Sequence, residues 1–197
     1  LSCIIIKFYL NSRIKTILWK IKFKIQVIVK KNLILLGMMG VGKTTLGKIV
    51  AKKQGMNFID TDLAVERKNS MKIREIFKKK GEKFFRTQEE KEVLKSLKKG
   101  KCVIALGGGA FINPILRNNI LKKTISFWLD VDLKILIKRI KWNKKRPLLN
   151  VENMQEKIYK LYSERKNAYK LANHKIICDN LSKESIVKKI IDLYEKY

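Results

Sequence analysis

The residues best suited to chemistry form one unbroken run, Gly37-Met38-Met39-Gly40-Val41-Gly42-Lys43-Thr44, which fits G-x-x-x-x-G-K-[ST] at every position. Glycines at 37, 40 and 42 let the backbone N–H groups around Val41 turn inward onto phosphate oxygens. A helix opening behind them adds its partial positive charge. Lys43 reaches the β- and γ-phosphates, the Thr44 hydroxyl suits Mg²⁺, and Thr45 continues the phosphate-facing edge. The run reads as a nucleoside-triphosphate cradle. By itself it does not separate a kinase from an ATPase or a GTPase. No Asn-Lys-x-Asp run follows it, so the usual guanine-reading signature is missing.

A second group could serve a phosphate acceptor. Asp60-Thr61-Asp62 follows Thr44 by sixteen residues, and two carboxylates two apart in extended backbone share one face. One can hold Mg²⁺ through water while the other takes a proton from an attacking hydroxyl. The same triplet equally suits an Asx turn that caps the next helix. Gly107-Gly108-Gly109 lets a ligand approach the backbone and offers N–H donors, or is simply a flexible turn. Arg86, Arg146 and Arg165 are far apart in sequence, as the members of a carboxylate clamp usually are. Each charge-assisted bond to a carboxylate contributes roughly 1.5–3 kcal/mol. Only eight of the 46 basic residues are Arg, so a retained Arg hints at a need for its planar fork.

These groups need elements to position them. Asn32–Leu36 predicts a strand, the glycine-rich turn follows, and Lys43–Gln54 predicts a helix. Residues 58–60 predict a second strand. Ile73, Ile76 and Phe77 share a helix face within 71–80, and helix continues over 82–99 until Gly100 stops it. Strands follow at 102–106 and 124–129, with Asp132 capping a helix that runs to Trp142. Residues 143–153 are polar, carry Pro147 and read as a loop. Residues 155–171 predict a helix, 175–178 a last strand and 182–195 a last helix. Five strands alternating with helices imply an α/β fold, a five-stranded parallel sheet flanked by helices. Such sheets bind ligands at the carboxyl ends of their strands, where the glycine and carboxylate turns fall.

Composition limits the partners. The excess of 46 Lys and Arg over 17 Asp and Glu gives a net charge of +29, which first suggests a polyanion. Yet the cations are overwhelmingly Lys, alongside abundant Ile and Asn, the composition of an AT-rich genome. There is no recognisable nucleic-acid reader motif. We expect solvated lysines and no nucleic-acid partner. Cys3, Cys102 and Cys178 are an odd set without a CxxC pair, and His174 is the single histidine, so neither a zinc site nor a disulfide framework is indicated. Reduced thiols fit a cytoplasmic protein. No apolar stretch approaches the about 18 residues needed to span a bilayer, so no membrane partner is expected. Residues 1–31 stand apart, with eight basic residues and no acid. They read as a translated region upstream of the true start, a disordered basic tail, or an acid-poor targeting peptide, the last weakened by few Ser and Arg. The catalytic domain is expected over 32–197.

Taken in order, the phosphate loop, Asp60-Thr61-Asp62, Gly81-Glu82-Lys83-Phe84-Phe85-Arg86, Gly107-Gly108-Gly109, Arg146-Pro147-Leu148-Leu149 and Arg165-Lys166-Asn167-Ala168-Tyr169 resemble the shikimate kinase family. The resemblance covers about residues 32–195 and implies a three-layer P-loop kinase with a mobile lid. It implies transfer of the γ-phosphate of ATP to the 3-hydroxyl of shikimate, with Mg²⁺, by a monomer. Asp62 matches the candidate base, which also contacts the shikimate hydroxyls, and Asp60 the water-mediated Mg²⁺ shell beside Thr44. Arg86 and Arg165 match the residues that hold the shikimate carboxylate, with Gly107, Gly108 and Gly109 in the same pocket. Arg146 matches a lid arginine that reaches phosphates and acceptor, and Arg139 a position near the adenine. Asp179-Asn180-Leu181-Ser182 departs from the commoner pattern with a proline. The rival readings are a gluconate-type sugar-acid kinase of the same fold, a nucleic-acid-binding protein and a non-catalytic relative.

Overall fold

Leu33, Ile34, Leu35 and Leu36 follow one another without a polar break, so a strand made of them must be covered on both faces. In the computed structural model, which describes residues 31–142 and 154–197, they form β1 (Asn32–Leu36), buried along its whole length. β1 pairs in parallel with β3 (Cys102–Ala105) on one side and β4 (Thr124–Asp130) on the other. β2 (Asn57–Asp60) adds beyond β3 and β5 (His174–Ile177) beyond β4, giving the order β2-β3-β1-β4-β5. Parallel pairing needs long crossovers, and helices supply them. These are α1 (Lys43–Gln54), α2 (Thr61–Asn69), α3 (Ile73–Leu97), α4 (Pro114–Lys123), α5 (Leu133–Trp142), α6 (Met154–Tyr169) and α7 (Lys183–Tyr194). The α/β architecture with a five-stranded parallel sheet is the one the alternation of patterns implies. The expected loop at 143–153 with Arg146, and the basic extension up to residue 30, lie outside the described residues.

Parallel strands end on one side, so the turns after β1, β2 and β3 are neighbours whatever their sequence separation. Register fixes how close: Ala105 pairs with Leu35 on one flank and with Asp60 on the other. The core beneath them is continuous, with Ile34, Ile104, Phe127, Leu129, Ile158 and Val187 all fully buried. Burying each such side chain stabilises the fold by about 1.5–3 kcal/mol.

Caps set where the helices begin. The Asp132 carboxylate accepts from the Lys134 and Ile135 N–H groups at 2.8 and 3.4 Å, and Ser182 accepts from Ser185 N–H at 3.1 Å. The sequence reading leaves residues 110–123 without an element. A short 3₁₀ turn, Ala110–Ile112, and α4 fill that gap. Asn113 caps α4 and Pro114 opens it, a start signal that the weak apolar periodicity of the segment hides. The two helical stretches expected either side of Gly81 run on as α3, broken in conformation at that glycine (φ 80°, ψ 171°). Around the break lies a small second core of Val65, Ile76 and Phe85, which packs α2 against α3 apart from the main one.

Candidate active site

β1 leaves the core at Leu36, and the glycine-rich loop carries the chain into α1. Gly40 has φ +86°, and a methyl group on it would lie 2.9 Å from Ile140 Cγ1 of α5, so a side chain is excluded by both conformation and contact. The Lys43 ammonium folds back over the loop and donates to the carbonyls of Gly37 at 2.9 Å and Met38 at 3.0 Å. The Thr44 hydroxyl donates to Asp60 Oδ2 at 2.6 Å.

Asp60 takes the capping role in the acidic triplet. Its Oδ1 accepts from the Asp62 and Leu63 N–H groups, at 3.1 and 3.2 Å, and caps α2. Its other oxygen faces the phosphate loop. Thr61, fully buried between the two aspartates, ties this turn to the next one. Its hydroxyl donates to the Ala105 carbonyl at 3.3 Å and accepts from Gly107 N–H at 2.9 Å.

The turn after β3 is where the scattered residues meet. A methyl group on Gly107 would sit 2.4 Å from Asp62 Oδ1 and 2.4 Å from Glu89 Oε1. On Gly108 it would sit 2.8 Å from Arg165 Nη1 and 3.8 Å from the Gly37 carbonyl oxygen, and on Gly109 2.5 Å from Arg86 Nη1. A side chain at any of the three glycines would therefore have to displace the charged tips gathered around the turn. Asp62, Arg86 and Arg165 converge on one short turn, and a methyl group on that turn would lie within van der Waals reach of the carbonyl to which Lys43 donates. Four elements, α2, α3, α6 and the loop before α1, supply side chains or backbone to it.

Three residues in this cluster escaped the sequence reading: Thr61 as a tie, Glu89 and Tyr169. Glu89 lies one turn beyond Arg86 on α3 and is 3% exposed. It accepts from Arg86 Nη1 at 2.8 Å, while Glu82 takes the Nε and Nη2 groups at 3.2 and 3.0 Å. Burial pushes the Glu89 carboxyl above the usual carboxylate range, against the pull of Arg86 and, more weakly, of Arg165. Tyr169, one turn beyond Arg165 on α6, is buried and donates its hydroxyl to the Gly108 carbonyl. The i,i+3 and i,i+4 spacings were the available signals, but they say only that two side chains share a helix face.

The nucleotide side is less complete. Val41 is buried and Thr45 exposed on the first turn of α1. Arg139 is exposed on α5 and near enough to Cys178 to act on its thiol, which burial nonetheless pushes up to about 11. That puts Arg139 beside the residues following β5. A cavity of about 470 Å³ at the ends of β4 and β5 is lined by Asp130, Asp132, Tyr159, Tyr162 and Asp179. Its carboxylates are engaged within the fold: Asp130 by Tyr162 and Lys175, Asp132 as the cap of α5, and Asp179 by Asp132 N–H.

A family model described as shikimate kinase matches residues 39–195. The chain belongs to the shikimate kinase family. A shikimate kinase of Sulfurihydrogenibium sp. (strain YO3AOP1) is 42% identical over 161 residues, 82% of this chain and 96% of that one. The solved shikimate kinase from Acinetobacter baumannii, in complex with shikimate, superposes with a TM-score of 0.79 at 33% identity, covering 84% of this chain and 93% of that one. A gluconokinase from Sinorhizobium meliloti 1021 reaches a TM-score of 0.56 at 11% identity, over 85% and 93% of the two chains, which shows a shared fold alone. Membership of the family makes this an ATP-dependent kinase with a P-loop, and the fold-level likeness explains why a sugar-acid kinase was the nearest rival. No helix among the described residues is long and apolar enough to cross a membrane.

Proposed function

We propose that this protein transfers the γ-phosphate of ATP to the 3-hydroxyl of shikimate, giving shikimate 3-phosphate and ADP. The observation that carries the proposal is the nearness of the 107–109 turn to both halves of the site: a methyl group on Gly108 would meet Arg165 and come within 3.8 Å of the Gly37 carbonyl of the phosphate loop. In this reading Arg86 and Arg165 grip the shikimate carboxylate, Arg86 held in place by Glu82 and Glu89. Asp62, level with Gly107, takes the proton of the 3-hydroxyl as its oxygen bonds to the γ-phosphorus. The bond from that phosphorus to the bridging oxygen breaks, and ADP leaves. Lys43 and the loop amides offset the charge that builds on the transferred group.

The Thr44 hydroxyl and Asp60 Oδ2 are hard oxygen donors 2.6 Å apart, a set that suits Mg²⁺, which needs few protein ligands when phosphates supply the rest. Bound there, with Asp60 acting through water, the ion would neutralise phosphate charge. Arg146 would reach the phosphates from a lid that excludes water, and Arg139 would lie near the adenine. Both halves of the described site come from one chain, which supports a working monomer. Cys102 and Cys178, buried and reduced, suit a cytoplasmic protein.

ADP release with ATP·Mg²⁺ tests the proposal against shikimate, quinate, gluconate and no acceptor. Shikimate-dependent release well above the other three is expected. Equal release with gluconate, or release independent of any acceptor, would overturn it.

A further inference from the structure

The backbone of the 107–109 turn is pinned at four points. Gly107 N–H donates to Thr61 Oγ1 at 2.9 Å, the Gly107 carbonyl accepts from Ala110 N–H at 3.2 Å, the Gly108 carbonyl accepts from the Tyr169 hydroxyl, and the Gly109 carbonyl accepts from Ile112 N–H at 3.1 Å. The third point is the informative one. A peptide unit is planar and trans, so its C=O and N–H point in opposite directions. Fixing the Gly108 carbonyl toward Tyr169 turns the Gly109 N–H away from it, to the far side of the turn. The Arg86 guanidinium lies beside Gly109, 2.5 Å from where a methyl on that residue would be. The other three bonds fall on the neighbouring peptide units, so among the described residues the Tyr169 hydroxyl is the partner that holds the Gly108–Gly109 peptide itself.

Tyr169 also bears on the second arginine. A methyl on Gly108 would lie 2.8 Å from Arg165 Nη1 and 4.0 Å from the Tyr169 hydroxyl, so both groups crowd the same glycine. Burial raises the Tyr169 phenol above its ordinary value, while the charge and hydrogen bond of Arg165 pull it back. The hydroxyl thus stays protonated and keeps its proton for Gly108. The ring is wedged against Trp128, with centroids 6.0 Å apart, at the buried end of α6.

We propose that Tyr169 is a positioning residue: its hydroxyl locks the Gly108–Gly109 peptide so that the Gly109 N–H, flanked by Arg86, is held as a preset donor for an acceptor oxygen of the bound carboxylic acid, while the same hydroxyl steadies Arg165. The proposal rests on the reading of the site as a shikimate site, and it concerns the residue outside the pocket that sets the direction of a backbone donor in it.

Tyr169→Phe removes one hydroxyl and keeps the ring against Trp128. The KM for shikimate should rise about tenfold, the scale of one lost bond with an unsatisfied carbonyl left behind, with the KM for ATP unmoved. Replacing Tyr169 by p-aminophenylalanine returns a donor at the same ring position and should bring the shikimate KM most of the way back. The protein has 10 glycines, so ¹⁵N-glycine labelling gives a readable spectrum. Saturating shikimate should move the Gly109 amide strongly in the unaltered protein and weakly in Tyr169→Phe. An unchanged shikimate KM in Tyr169→Phe, a parallel rise in both KM values, or a Gly109 response equal to that of the unaltered protein would each overturn the proposal. If Tyr169→Phe does not fold, the p-aminophenylalanine protein carries the test. With the donor returned, saturating shikimate should still move the Gly109 amide strongly, and a tenfold rise in the shikimate KM with the Gly109 response lost would overturn the proposal. Failure of shikimate to act on the unaltered protein at all would instead count against the functional reading.

Discussion

The two halves of the site are built differently. On the donor side, the loop and Lys43 come from eight consecutive residues: Lys43 bonds to the Gly37 and Met38 carbonyls within the run, and Thr44 reaches outside it to Asp60. On the acceptor side, Asp62, Arg86, Gly107-Gly108-Gly109 and Arg165 each arrive on a different element. They are kept in place by neighbours that never touch a substrate in the proposed reaction, namely Glu82 on Arg86, Thr61 on Gly107 and Tyr169 on Gly108. A local site tolerates changes elsewhere in the fold, because its geometry is written into a few dihedral angles. A convergent site inherits errors from every element it draws on. Lesions on the donor side should therefore lower turnover with any acceptor, and lesions on the acceptor side should be felt first as weaker shikimate binding.

Lys43→Ala attacks the donor half and should have the largest effect, a loss of turnover of about a thousandfold in the ADP-release assay, as when a preorganised charge is removed from a developing anion. A rate near that of the unaltered protein would remove the loop from the chemistry. Asp62→Asn should lower turnover by about a hundredfold or more while ATP binding, followed by calorimetry, persists. This separates the proton acceptor from the cradle. Arg165→Lys should raise the shikimate KM by about tenfold and leave the ATP KM alone, because an ammonium lacks the planar fork. Equal changes in both would erase the proposed division between the halves.

The smallest expected effect concerns Glu89. Its carboxyl is raised, first by burial, so the folded protein holds a proton there over a pH range in which the unfolded chain has already released it. The stabilisation is fully present below the unfolded value and is lost as pH rises through the folded one. Thermal midpoints measured upward from pH 4 should fall in the unaltered protein relative to Glu89→Gln. Parallel curves across that range would mean that Glu89 is ionised throughout and that Arg86 outweighs burial.

How legible each half is in the sequence follows from the same contrast. The phosphate loop can be recognised because its geometry is local. Asp60 could be read either as a cap or as a ligand-side carboxylate, and the structure gives one oxygen to the cap and the other to the Thr44 hydroxyl. Helix α4 was hidden because its apolar positions are few, although Asn113-Pro114 announces its start. Glu89 resembles any other charged residue on a Lys- and Glu-rich helix. Nothing in the residues around it says that this one is 3% exposed. Tyr169 follows Arg165 by one helical turn, which suggests a shared face but no bond to a carbonyl sixty-one residues away.

The sequence alone determined the strands, all the helices but α2 and α4, the sheet with parallel strands and the triphosphate cradle, since hydrophobic period and glycine spacing act over a few residues. The tertiary structure alone decided the strand order β2-β3-β1-β4-β5 and, through it, which turns are neighbours. It also decided which carboxylate is buried and which way the Gly108–Gly109 peptide faces. Those outcomes depend on contacts between residues far apart in the chain, and pattern along one strand or helix carries no record of what packs against it.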